Sequence, residues 1–123
     1  MEERLFQAGD LLRRLGVTAN YKGFPYTAYA VALCAERPEL LLLVTKDLYP
    51  QVARQYSTTW QAVERNIRTV VGVAWRRNPE LLGRMAGVGL EAKPRSAEFL
   101  SIVTAGLQRA GSGKIGLNGA GII

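Results

Sequence analysis

Residues 48–75, LYPQVARQYSTTWQAVERNIRTVVGVAW, admit few structures. Their apolar residues recur at three- and four-residue steps on both sides of a hydroxyl-rich break, the pattern of two amphipathic helices joined by a tight turn. In residues 48–56, Leu48, Val52, Ala53 and Tyr56 share one face and Gln51, Arg54 and Gln55 the other, with Pro50 suited to the first turn. Ser57, Thr58 and Thr59 follow, residues whose hydroxyls bond nearby backbone and so favour turns and N-caps. Thr58, with Gln61 three positions on, predicts a capping box. From residue 60 to about residue 77, a projection at about 100° per residue gathers Trp60, Val63, Ile67, Val70, Val71 and Ala74 in one arc. A short helix, a polar turn and a capped longer helix make the outline of a helix-turn-helix.

The opposite arc of the second helix holds Gln61, Glu64, Arg65 and Arg68. Arginine can bond bidentately to guanine O6 and N7, glutamate can accept from cytosine N4, and glutamine can pair with adenine. All four lie in the first turns, the part of a recognition helix that enters the major groove. Thr58 and Thr59 in the turn and Arg54 on the first helix are placed to hold phosphates. Pattern alone is equally compatible with an ordinary solvated face on which Glu64 and Arg68 form an i,i+4 pair worth about 0.3–0.5 kcal/mol.

The rest of the chain reads as support, and as helix throughout. In residues 2–15, Leu5, Ala8, Leu11, Leu12 and Leu15 line one face, Arg13 and Arg14 suit the negative end of the helix dipole, and Gly16 supplies a left-handed cap. Residues 17–25 form a connection, and residues 26–36 a mostly buried helix that Pro38 ends. ELLLLVT, residues 39–45, has the apolar content of a strand, but no second strand exists for it to pair with and leucine favours helix, so a helix start is expected. Asn78 and Pro79 end the long helix, Leu81, Leu82, Met85 and Ala86 suggest a short one, and residues 96–109 form the last, with Ser96 as cap and Phe99, Ile102, Val103 and Leu107 on one face. The expected fold is all-α, a compact bundle of about six helices containing the helix-turn-helix. Residues 1–110 make one domain, and residues 111–123 are expected to be a flexible glycine-rich tail.

Charge and composition narrow the function. The net charge of +6 is uneven: Lys and Arg number seven against six acids in residues 1–59 but nine against four in residues 60–123. That excess suggests a polyanionic partner. No apolar run, residues 40–44 included, approaches the roughly 20 residues of a membrane span, and the N-terminus has no basic and apolar signal pattern, so a cytoplasmic location is expected. One cysteine and no histidine leave no disulfide framework, no Cys/His zinc site and no His-activated nucleophile, and Cys34 among apolar neighbours reads as a core residue. GSGKIG, residues 111–116, matches G-x-G-x-x-G literally. It follows no strand, though, and has no acidic residue about 20 positions on. A phosphate loop would need Ser or Thr where Ile115 stands and glycine where Gln108 stands. The expectation is a non-enzyme without cofactor or metal.

With LYP, TT and the VER-x-IR-x5-AW core in view, and supporting stretches at LGVTANYKGFPY and KPRSAEFLSIV, the sequence resembles the C-terminal DNA-binding effector domain of the master response regulator of sporulation initiation in endospore-forming bacteria. The resemblance runs from about Leu11 to Leu107 and implies a compact domain of about six helices. It also implies short DNA boxes bound as tandem homodimers, and contact with an RNA polymerase sigma factor. Position by position, the family's base-reading residues fall on Glu64 and Arg65, and Arg68 matches an arginine near the phosphates. Gln61 stands where the family has a small hydroxyl residue, and Trp60 where it has a small residue. Ala62 stands where it has a base-contacting arginine, and one missing bidentate contact changes discrimination by about 1–3 kcal/mol. The family's effector domain follows a receiver domain, whose aspartates and alternating strands and helices have no counterpart in these residues. Two readings follow: a sequence-specific regulator of transcription that places Gln61, Glu64, Arg65 and Arg68 in the major groove, or a helical module that binds a sigma factor or a full-length regulator without reading DNA.

Overall fold

The computed structural model describes residues 1–116, with side chains described through residue 110. Among the described residues there are six α-helices and no strand: α1 (Glu2–Arg14), α2 (Gly23–Glu36), α3 (Tyr49–Gln55), α4 (Trp60–Arg77), α5 (Pro79–Ala86) and α6 (Ser96–Gly116). The all-α architecture expected from the periodicity is the one observed.

Helix α2 is the centre of the bundle. Its apolar residues surround it, and ten of its fourteen residues are buried between α1, α4 and α6. It starts at Gly23, three residues before the sequence pattern suggests, and the reason is tertiary. A Cβ on Gly23 would run into the backbone carbonyl of Asn66 on α4 and sit 2.7 Å from Val70 Cγ2. Only glycine lets α2 begin that close to α4. The core that results includes Leu12, Leu15, Val31, Cys34, Leu48, Ile67, Leu82, Phe99, Leu100 and Leu107. Burial raises the Cys34 thiol to about 12, against a smaller opposing effect of Arg37, so it stays a neutral packing group.

Helix α1 ends as its sequence predicts. Gly16 takes φ +93°, its N–H donates to the Arg13 carbonyl at 2.9 Å, and the Val17 N–H donates to Leu12 at 2.9 Å. These are the two bonds of a Schellman cap. Asn78 then joins three helices at one corner. It ends α4, its side-chain oxygen accepts from the Leu81 N–H at 3.2 Å to cap α5, and its Nδ2 donates to the Arg14 carbonyl of α1 at 2.9 Å.

Residues 38–48 are helical without being an α-helix. A 3₁₀ turn, Pro38–Leu42, and a π turn, Val44–Leu48, meet at Leu43 before α3 begins at Tyr49. The leucine run therefore divides: Leu40 is buried at 1% exposure while Leu42 is 85% exposed. The expected α-helix start is replaced by one tighter and one wider turn that lead into α3. The last helix passes the boundary at residue 110 that composition suggests for a tail, and its backbone continues through Gly116. Glycine weakens a helix interior by only about 1 kcal/mol, and nothing between Ser96 and Gly116 removes an N–H from the ladder as proline would. The GSGKIG stretch thus ends a helix, and the rest of the expected tail, residues 117–123, lies outside the described residues.

Candidate nucleic-acid interface

Helices α3 and α4 are joined by four residues, Tyr56 to Thr59, and their geometry begins with the turn. Ser57 has φ +54° and is the one non-glycine residue at positive φ among the described residues. Its N–H donates to Arg54 at 3.4 Å and the Thr58 N–H donates to Ala53 at 3.0 Å, the same pair of bonds that closes α1 at Gly16. A left-handed non-glycine residue costs about 1–2 kcal/mol, so the turn must be held by its surroundings. Tyr56 does this. Its ring lies 5.2 Å from that of Tyr26 and edge-on to Tyr29 at 5.8 Å, fastening the end of α3 to α2. Burial pushes the Tyr56 phenol up, and the two neighbouring tyrosines push it further.

The cap of α4 differs from the sequence expectation by one residue. Thr59, in extended conformation, is the N-cap, and its Oγ1 accepts from the Ala62 N–H at 3.1 Å. The predicted box of Thr58 and Gln61 does not form. With Ser57 in the left-handed position and Thr59 extended, the cap falls on Thr59, and Ala62 at the third helical position has no side chain to reach back.

Along α4, Val63, Ile67, Val70, Val71, Val73 and Ala74 are buried, as the periodicity predicts apart from Val73. Trp60 is not part of that seam: it remains 38% exposed at the first turn. Gln61, Arg65 and Arg68 are exposed on the free face, and Glu64 is half-buried. Arg68 Nη2 lies 3.4 Å from Glu64 Oε1, the i,i+4 pair anticipated from spacing. Ala62 is half-buried beside them, and Arg54 and Thr59 are exposed at the turn with Thr58 half-buried. Gln61, Glu64, Arg65 and Arg68 thus share the outer face of α4, with Thr58 and Thr59 in the turn before it and Arg54 on α3.

Periodicity along one helix cannot reveal what stands beside that surface. Glu64 and Arg68 form one wall of a cleft whose other wall is Lys93, Pro94, Arg95 and Ser96, at the entry to α6. Tyr49, 2% exposed, lies in the same cleft. Its phenol is pushed up mainly by burial, against the favourable effect of the Ser96 hydroxyl; Glu64 raises it further and Arg68 opposes.

A short helix, a capped turn and a longer helix with exposed arginines on its free face have the outline of a helix-turn-helix. Residues 9–107 match the family described as "Sporulation initiation factor Spo0A C terminal". The match covers most of the 123-residue chain, and the chain belongs to that family. It is a DNA-binding effector domain of the response-regulator type concerned with sporulation, a transcription-factor domain and not an enzyme. Among the described residues no helix is long and apolar enough to cross a membrane.

Proposed function

We propose that this domain is a sequence-specific regulator of transcription that lays the first turns of α4 in the major groove of duplex DNA. The observation that carries this reading is the exposed set Gln61, Arg65 and Arg68, with Glu64 beside them, on a helix whose entry is set by the Tyr56–Thr59 turn. Arg65 has no carboxylate partner among the described ion pairs, so its guanidinium meets guanine without first breaking one. Glu64 accepts from cytosine once Arg68 swings from it to a phosphate, an exchange of one exposed charge partner for another. Thr58, Thr59 and Arg54 hold the phosphates flanking the turn. Ala62 leaves one position of the box unread by a long side chain, and Trp60 packs its exposed edge on the sugar-phosphate backbone nearby.

Selection from a random duplex pool tests this reading. An enriched motif is expected, with weaker discrimination at the base opposite Ala62; a pool that stays random favours the module that binds protein without reading DNA. The resemblance also supports pairing of two copies on tandem boxes and contact with a sigma factor. Sedimentation on a two-box duplex is expected to show two domains bound together, and a sigma factor is expected to be retained on that complex.

A further inference from the structure

The loop between α5 and α6 places two cations beside the proposed recognition helix. Pro94 is buried while Lys93 before it and Arg95 after it are exposed, so the proline acts as a pivot with both charges held outward. Proline suits that position, having no N–H to leave unsatisfied when buried. The two cations share a cleft with Arg68 and Glu64 of α4, with the Tyr49 ring and Ser96 also lining it. The cleft therefore has three cationic side chains against one carboxylate, and that carboxylate is already engaged by Arg68. Glu91 and Glu98, on either side of the loop in sequence, do not line it. Tyr49 belongs to α3 and Ser96 begins α6, so the cleft joins the helix-turn-helix directly to the loop.

We propose that Lys93 and Arg95, with Arg68, clamp the phosphate backbone of duplex DNA alongside α4, making the loop before α6 a second DNA-contacting element. This rests on the DNA-binding reading above. Contacts of this kind fix register and add affinity on any sequence, because they neutralise phosphates and release counterions without touching bases.

The test is the salt dependence of binding to a mixed-sequence duplex and to a duplex selected from the random pool. The doubly substituted Lys93→Ala/Arg95→Ala chain is expected to bind both duplexes more weakly by the same factor, with the slope of log affinity against log salt shallower by about 1 for each contact removed. Lys93→Arg with Arg95→Lys keeps both charges and is expected to keep the slope. Arg4→Ala removes a charge beside Leu107 and Gln108, three turns along α6 from the cleft, and is expected to leave the slope in place. An unchanged slope in the double alanine chain, or an equal change in Arg4→Ala, overturns the clamp. A flat response in the unaltered chain overturns the DNA-binding reading itself. Both altered residues are exposed, and thermal unfolding shows whether each variant is folded before its slope is read.

Discussion

Helices α2 and α4 pack on each other and are of comparable length, yet they are built for opposite purposes. The first is apolar around most of its circumference and buried at ten of its fourteen residues, so most exchanges on it disturb packing. The second is divided along its axis, with a valine-rich seam facing α2 and a polar strip facing outward. A bundle needs one helix surrounded by others to have a core, whereas a surface that reads another molecule needs a helix held firmly on one side and free on the other. Stability and recognition should therefore separate cleanly across α4.

The largest effect is expected on the inner side. Ile67→Ala opens a cavity at a fully buried position and should lower the unfolding free energy by about 2–5 kcal/mol in a denaturant titration. Gly23→Ala attacks the same seam from α2, forcing a methyl group against the Asn66 carbonyl, and should cost about 1–3 kcal/mol. Loss of less than a few tenths of a kcal/mol would mean that α2 and α4 can part without penalty. On the outer side, Arg65→Ala should leave the unfolding midpoint unchanged. It should weaken binding to a selected duplex by about 1–3 kcal/mol more than binding to a mixed one. Equal losses on the two duplexes would remove Arg65 from base reading. Smallest of all, Thr59→Ala joins the two sides: losing the cap should destabilise by about 0.5–2 kcal/mol, and Thr59→Asp should recover most of it. If Thr58→Ala rather than Thr59→Ala produced that loss, the cap would have to be moved back by one residue.

The two turns closing α1 and α3 show how far local sequence can be read. Both use the same pair of backbone bonds around a left-handed residue. Gly16 announces that conformation, because glycine adopts it freely. Ser57 does not, because serine enters it only when something else holds the chain, and what holds it is the packing of Tyr56 on Tyr26 and Tyr29 from a helix some thirty positions earlier. The one-residue error in placing the α4 cap follows from that hidden turn. The leucine-rich segment gives a similar lesson: composition separates it from a strand by elimination, but does not foretell the 3₁₀ and π turns it forms in place of an α-helix.

Short-range chemistry along the chain determined the six helices, their amphipathic faces, the glycine and asparagine boundaries, and the strip Gln61, Glu64, Arg65 and Arg68. Each of these follows from periods of three and four residues or from the preferences of single side chains. Tertiary structure alone decided the start of α2 at Gly23, the left-handed Ser57, the exposure of Trp60, and the cleft that sets Lys93 and Arg95 opposite Arg68. Those features join positions tens of residues apart, and they exist only once burial of the shared core has brought the helices together.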